Sequence, residues 1–188
     1  MTPTAAPDLA SAPSWTVRAE VPLDLDQIHE VHRQAFKGAG EAELVDAIRA
    51  GSDFLPELSL VAVTPDGSVL GHVLLSRIGL EPEPAGSPRT DALALAPLAV
   101  LPPHQGRGIG TALVREALAI ADRRDEALIA VLGAPSFYAG FNFGPASDHG
   151  VTSPYSYAGE ANQVRPIGDR PIPPGTLIYP PMFEAVSG

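Results

Sequence analysis

Hydrophobic and polar positions in the first half of the chain follow the spacing of one strand, two helices and a strand hairpin. Residues 15–21 (WTVRAEV) alternate as a half-buried strand does. Residues 22–36 place apolar side chains from Ile28 to Phe36 on one helical face, with Asp24 as the predicted N-cap. The segment EAELVDAIRAG predicts a second helix that ends at Gly51. The runs LSLVAVT and SVLGHVLLSRIGL, joined by the turn PDG, predict a hairpin.

The second half of the chain continues to alternate between strand and helix patterns. The run DALALAPLAVLP (91–102) has the apolar content of a buried strand, and Pro97 within it predicts a bulge or an edge, because proline cannot donate to a ladder. A helix follows as far as Arg124, then a buried strand (EALIAVLG), a short helix (APSFYAGF) and a last strand in 175–183. The order β-α-α-β-β-β-α-β-α-β-β predicts an α/β (mixed α+β) fold, a mixed sheet with helices on its faces.

Length and composition fit one domain preceded by a tail. A chain of 188 residues is long enough for a single core. Residues 1–14, rich in Pro, Ala and Ser, are predicted to be a flexible N-terminal tail, which leaves 15–184 as the single domain. No apolar run approaches the ~20 residues that cross a bilayer, and the N-terminus lacks the pattern of a secretory signal. We therefore expect a cytoplasmic protein that is not bound to a membrane.

Charge and cysteine content narrow the chemistry further. The formal net charge is −10, which disfavours nucleic acid and anionic lipid as partners and is more compatible with cationic partners such as amines. The sequence contains no cysteine, so disulfides, thiolate metal sites and cysteine nucleophiles are excluded. His29 and His32 have a spacing that could hold a metal, but no third histidine or cysteine is near them in sequence, and we predict no metal.

The segment HQGRGIGTAL (104–113) places three glycines immediately before a helix. A P-loop would need a lysine after the glycines, and none is present. A dinucleotide fingerprint would follow its strand directly and would need an acidic residue at the end of the next strand; here LPPHQ intervenes and that strand ends in apolar residues. A plain turn and an anion cradle at the helix N-terminus remain, and the three glycines favour the cradle.

The stretch APLAVLPPHQGRGIGTALV resembles the acetyl-coenzyme A signature of the GCN5-related N-acetyltransferases (GNAT), with Gln105, Gly108 and Gly110 at the motif positions. The later VLGAPSFYAGFNF is similar to a segment found in a subgroup of predicted bacterial N-acetyltransferases. The resemblance implies a central mixed, mostly antiparallel sheet with helices on both faces and a splayed strand pair that holds the cofactor. Two positions depart from that segment: Asn142 replaces a usual glycine, although Asn tolerates left-handed backbone, and Gly140 replaces a larger basic residue.

The resemblance also implies site residues and the co-substrate, acetyl-coenzyme A, without a metal. Tyr138 corresponds to the catalytic acid that protonates the departing thiolate, and the Val100 N–H to a donor for the thioester carbonyl. Backbone groups near the strand bulge would bind pantetheine, and loop amides would bind pyrophosphate. These cofactor-binding residues are Leu98, Ala99, Val100, Gln105, Gly106, Arg107, Gly108, Ile109, Gly110 and Thr111.

Without a cysteine, direct attack by the amine in a ternary complex is favoured over an acyl-enzyme. A tyrosine of ordinary pKa ~10 would protonate a thiolate whose acid has pKa ~8.5 only slightly uphill. The acceptor is expected to be a small-molecule or peptide amine. For Tyr155 and Tyr157, a place in a pocket and a role in core packing or loop stapling both stay open. The general base is left open among His72, His104, Asp91, Glu81, Glu83 and a water chain. A regulatory module that binds acyl-CoA without turnover is the alternative; neither the acceptor nor the oligomeric state has a motif here.

Overall fold

The computed structural model describes residues 14–83 and 86–186. The predicted N-terminal tail, apart from Ser14, lies outside these residues. In chain order the described elements are β1 (Thr16–Ala19), α1 (Leu25–Phe36), α2 (Gly40–Ala50), β2 (Ser59–Val63), β3 (Val69–Pro82), β4 (Thr90–Val100), α3 (Ile109–Ala121), β5 (Leu128–Leu132), α4 (Pro135–Tyr138), β6 (Gly144–Pro145), β7 (Val151–Thr152), β8 (Asn162–Pro166) and β9 (Gly175–Ile178). Short 3-10 turns connect several of them.

One mixed sheet organises the domain. Its main strand order is β1-β2-β3-β4-β5-β8-β6, and β9 pairs with the far end of β3 and with β7. Neighbouring strands are antiparallel except for the β4–β5 and β7–β9 pairs, which are parallel. The predicted fold class, a mostly antiparallel mixed sheet, is therefore confirmed.

The helices cover opposite faces of this sheet because side chains of a strand alternate between its two sides. Leu74 and Ile78 of β3 pack with α1 and α2, in a core that includes Ile28 and Val45. The intervening Leu75 packs with α3 in a second core. A strand buried on both faces reads as a continuous apolar run, which is the pattern of SVLGHVLLSRIGL.

The C-terminal region differs most from the sequence-based prediction. The strand predicted over 175–183 ends at Ile178, and a 3-10 turn, Pro181–Val186, follows. Pro180 and Pro181 explain the end of the strand because neither can donate to a ladder. The chain also forms four short strands after α4 where we predicted two. The helix predicted through Arg124 ends at Ala121.

The start of α1 corrects the predicted cap. The Asp24 side chain accepts the Val21 N–H at 2.8 Å and pairs with Arg18, and it makes no cap hydrogen bond to α1. It therefore stabilises the 3-10 turn before the helix. Among the described residues, no helix is both long and apolar enough to cross a membrane.

Candidate active site

Strands β4 and β5 separate soon after they pair. Their parallel ladder consists of Leu93 with Ile129 and Ala94 with Ala130. The register between β3 and β4 then shifts just before Leu75, so that one residue of β3 lies opposite two of β4. This is a β-bulge, which bends a strand away from its neighbour. Of the two outcomes predicted from Pro97, a bulge or an edge, the structure has the bulge, and it opens a gap in the sheet.

The ladder between β3 and β4 determines which backbone groups of β4 face this gap. The Leu101 N–H donates to the Leu70 carbonyl at 2.9 Å. Because successive residues of a strand turn their polar groups to opposite sides, Ala99 directs its N–H and C=O toward β3. Leu98 and Val100 direct theirs away from β3, into the gap. Of the three strand residues predicted to bind pantetheine, Ala99 thus lacks the expected backbone orientation.

A cavity of about 520 Å³, here called the strand cavity, lies between the separated ends of β4 and β5. Residues of both strands line it, together with side chains from α1, α2, α4 and the C-terminal region. The lining residues used below are Phe36, Glu41, Leu98, Leu132, Tyr138, Tyr155, Tyr157, Tyr179 and Phe183. The candidate residues Tyr155 and Tyr157 are therefore brought to the same cavity as Tyr138.

The glycine segment forms a concave loop that leads into α3. Gly106 and Gly108 have φ angles of 72° and 82°, which glycine adopts without the penalty a side chain would bring. The first hydrogen bond of the helix joins the Ala112 N–H to the Gly108 carbonyl at 3.0 Å. The amides of residues 109–111 consequently have no acceptor within the helix, and the helix dipole adds positive potential there.

A second cavity of about 460 Å³, here called the loop cavity, lies over these amides. Every predicted cofactor-binding residue lines it except Ala99 and Arg107, and His104 and Phe137 line it as well. A Cβ on Gly110 would make only ordinary contacts, the nearest being Val100 Cγ2 at 3.7 Å. The fold itself thus tolerates a small side chain at Gly110, and the space it would occupy belongs to the cavity.

Leu98 lines both cavities, so they lie on either side of one residue of β4. The Gln105 side chain donates to the Val100 carbonyl at 3.0 Å, which fixes the loop against the end of β4. That bond uses the Val100 carbonyl and leaves its N–H directed into the gap. The two cavities, one over the unpaired amides of the α3 start and one beside the free backbone groups of β4, together fit an elongated ligand with a phosphorylated head.

Tyr138 lies where α4 meets the strand cavity. Its ring packs edge-to-face on Phe137 and Phe143, with centroids 4.9 and 5.5 Å away. It is 7% exposed, whereas Phe137 and Phe141 are half-buried and pack against the same core. A Cβ on Gly133 would overlap the Tyr138 ring, so the glycine makes room for that ring.

Burial raises the pKa of the Tyr138 hydroxyl to about 12. Proton donation to a thiolate of pKa ~8.5 is then uphill by roughly 5 kcal/mol, at 1.36 kcal/mol per pKa unit, a larger gap than the sequence suggested. A thiolate formed in the same apolar cavity would be desolvated too, and desolvation raises its proton affinity in the same direction. The turn after α4 also forms as expected, because Asn142 adopts φ 65°.

A comparison with protein families bears on this arrangement. The model described as the Acetyltransferase (GNAT) family matches residues 25–143, from the start of α1 to the turn after α4. The match covers more than half of the chain. The chain belongs to the GNAT family.

Individual members of the GNAT family are similar to this chain over most of their length. The uncharacterized N-acetyltransferase YhbS of Escherichia coli K12 is 31% identical over 153 residues, which are 81% of this chain and 87% of YhbS. The E. coli N-acetyltransferase YjhQ is 35% identical over 70% of this chain and 71% of its own. The crystal structure of E. coli YhbS with CoA superposes with a TM-score of 0.83 at 27% identity, covering 92% and 93% of the two chains. A Brucella melitensis GNAT acetyltransferase with acetyl-CoA gives 0.70 at 30% identity, covering 90% and 97%.

The GNAT fold places the candidate bases outside the strand cavity. His72 is fully buried, Asp91 pairs with Arg77 at the surface, and His104 lines the loop cavity. Glu81 and Glu83 are exposed near the end of β3. Glu41, at the start of α2, is the acidic residue that lines the strand cavity, and it is not one of the candidate bases that the sequence offered. No motif marks Glu41, because only the packing of α2 against the sheet brings it there.

His72 belongs to a buried chain of hydrogen bonds under α1. Its Nδ1 lies 2.8 Å from His32 Nε2, and its Nε2 lies 2.9 Å from the Ser59 hydroxyl. Ser59 donates to Glu20 at 2.5 Å, and Arg49 holds the same carboxylate. The chain therefore runs from His32 to Glu20 and away from the strand cavity. His32 and His29 do not form a metal site; no group of potential metal ligands occurs in 14–83 or 86–186.

Proposed function

We propose that this protein is an N-acetyltransferase that transfers the acetyl group of acetyl-coenzyme A to an amine by direct attack. The observation that carries the proposal is that Leu98 lines both the loop cavity over the α3 amides and the strand cavity that contains Tyr138. The same fold binds CoA in E. coli YhbS and acetyl-CoA in the Brucella relative. Membership of an acetyltransferase family favours turnover over a purely regulatory binding role.

The residues that line the loop cavity and the strand cavity fit the co-substrate. The loop amides of Gly106–Thr111 would hold the pyrophosphate, because unpaired N–H groups and the helix dipole both favour negative charge. Leu98 and Val100 would bond the pantetheine amides through their backbone groups. The bound co-substrate supplies the acetyl thioester. Val100 N–H would then polarise its carbonyl by donating a hydrogen bond, as an oxyanion-hole donor does.

Tyr138 would supply the proton that the sulfur needs on departure. The neutral amine forms a bond to the carbonyl carbon, the carbon–sulfur bond breaks, and the Tyr138 hydroxyl donates its proton to the sulfur. The amine loses one proton before attack and one after it, and one of the two restores Tyr138. With no cysteine in the sequence, no cysteine acyl-enzyme forms on this route.

Binding is tested with the Gly110→Val variant. Acetyl-CoA should raise the Tm of the parent, since a ligand that binds only the folded state stabilises it. The variant should keep its own Tm within a few degrees and lose most of that shift, because its side chain enters the loop cavity. Gly140→Ala is the matched control, since a Cβ at Gly140 has open space and lies outside both cavities. Equal Tm shifts with acetyl-CoA in the parent and in both variants would refute the proposed anion cradle.

Turnover is tested with Tyr138→Phe, which keeps the ring and removes the proton donor. Release of free CoA in the presence of an amine should fall at least tenfold, since a general acid contributes ~10²–10⁴-fold. The acetyl-CoA Tm shift should persist. Release of CoA by the parent protein in the presence of an amine would distinguish an enzyme from a regulatory module that binds acyl-CoA without turnover. An unchanged kcat in the variant, with chemistry limiting, would assign Tyr138 to packing alone.

A further inference from the structure

The strand cavity has a wall of aromatic rings that the acetyl transfer described above does not use. This aromatic wall consists of Phe36, Tyr155, Tyr157, Tyr179 and Phe183. Successive rings from Tyr157 to Phe183 pack edge-to-face or nearly so, with centroids 6.5, 5.0 and 5.2 Å apart. They come from α1, from the segment after β7 and from the segment after β9. Three distant parts of the chain thus build one surface.

The rim of the cavity leaves apolar side chains exposed. Phe36 is 42%, Leu132 48% and Tyr157 76% exposed. Within 14–83 and 86–184, only two other large apolar side chains, Val21 and Leu23, are comparably exposed. Scattered exposed apolar residues need no explanation, but a cluster around one concave site marks a ligand-binding surface. The rim and the wall therefore point to an apolar ligand body.

Glu41 adds one negative charge to this apolar surface. It is the single charged residue among those that line the strand cavity, and it makes no ion pair with another described residue. An amine is protonated in water near neutral pH, so one carboxylate matches one ammonium group. Aromatic faces also attract ammonium groups. A second ammonium would lose its hydration without a second carboxylate, which is costly.

The size of the cavity limits the acceptor as well. Its 520 Å³ must also accommodate the thioester end of the co-substrate, because Leu98 and Tyr138 belong to the same lining. A benzene ring fits a cavity of roughly 150 Å³, so the remaining space suits one ring on a short chain. A peptide would bring several backbone polar groups that need hydrogen-bond partners. The wall offers only its three tyrosine hydroxyls, and that of Tyr155 already donates to the Phe183 carbonyl.

We infer that the acceptor is a small aromatic primary amine that binds as a monocation, with its ring on the aromatic wall and its ammonium group drawn in by Glu41. This inference rests on the proposed function and names its substrate class. Ring-on-ring contacts favour an aromatic body over a saturated one of the same size. The site accordingly disfavours diamines and peptide N-termini.

A panel of four acceptors tests the substrate class by measuring CoA release. The probes are 2-phenylethylamine, 2-cyclohexylethylamine, 1,4-diaminobutane and trialanine. We expect kcat/KM for 2-phenylethylamine to exceed that for the diamine and the peptide at least tenfold. It should exceed kcat/KM for 2-cyclohexylethylamine by about two- to tenfold. Preference for the diamine or the peptide overturns the inference and leaves the proposed function standing. No release with any amine, while acetyl-CoA still raises Tm, overturns it as well. Failure of acetyl-CoA to bind refutes the proposed function itself.

Paired variants test the assigned contacts. Glu41→Gln should raise KM for 2-phenylethylamine at least fivefold with a smaller change in kcat, as expected for a binding contact. Its control is Glu43→Gln, an exposed residue of the same helical turn that lies outside the cavity lining. Tyr157→Ala should also raise KM, whereas Leu23→Ala, which removes an exposed side chain elsewhere, should not. Unchanged KM in both Glu41→Gln and Tyr157→Ala would overturn the assignment.

Discussion

Acidification should destabilise this protein through the buried histidine pair, and His32→Gln isolates the effect. His32 and His72 are both fully buried, and a single proton lies between His32 Nε2 and His72 Nδ1, 2.8 Å apart. Glu20, as an ionised carboxylate, only accepts hydrogen bonds, so Ser59 donates to it and His72 Nε2–H donates to Ser59. Burial keeps both rings neutral, so His72 Nδ1 carries no proton and accepts the His32 Nε2–H.

The pKa of His32 is lowered to about 2. Burial is the largest cause, and the neighbouring His72 contributes to the same shift. Burial also lowers the pKa of His72, and Glu20 only partly opposes this. A histidine whose pKa is lower in the folded state contributes stability above its unfolded pKa of ~6.5, and this stability is lost as the pH falls below that value. Between pH 6.5 and pH 5 the loss from His32 alone is about 2 kcal/mol, at 1.36 kcal/mol per pH unit.

Urea unfolding between pH 7.5 and pH 5, followed by the fluorescence of the single tryptophan, measures this loss. The free energy of unfolding of the parent should fall by about 2 kcal/mol more than that of His32→Gln over this range. Gln keeps an N–H donor for His72 but does not titrate, so the slope against pH is the readout, independent of any destabilisation at pH 7.5. His149→Gln, at an exposed histidine, should keep the parent's slope. Parallel slopes for parent and His32→Gln would refute the assignment of a neutral buried pair.

Two further substitutions test contacts around Tyr138 and the C-terminal half. Gly133→Ala should lower kcat at least tenfold with acetyl-CoA binding retained, since its Cβ would displace the Tyr138 ring, whereas Gly140→Ala should have parent activity in the same CoA-release assay. Asp122→Asn should lower the free energy of unfolding at pH 7 by about 1–3 kcal/mol in a denaturant titration, because Asp122 accepts two hydrogen bonds from Arg165, and a change below 0.5 kcal/mol would contradict a structural role for the pair.

Much of the fold is encoded locally, and the sequence predicted it for that reason. Apolar periodicity located α1, α2, α3 and the first five strands to within a few residues. Pro97 predicted the bulge because the missing N–H is a property of the residue itself. The glycines before α3 predicted an anion cradle because the unpaired amides of a helix start do not depend on the rest of the fold. Asn142 likewise predicted its own left-handed turn.

Other features depend on contacts between segments far apart in sequence, and only the tertiary structure decided them. Glu41 and the aromatic wall meet because α1, α2 and the chain after β9 converge on the separated ends of β4 and β5. The burial that raises the pKa of Tyr138, and the orientation of the Ala99 backbone toward β3, follow from packing and ladder register. The sequence determined the chemistry of the proposed cofactor cradle because that chemistry is carried by one short segment. It did not determine the proposed acceptor site, because that site is assembled from several distant helices, strands and loops. The apolar periodicity of each segment predicts only its own secondary structure and does not predict which segments meet.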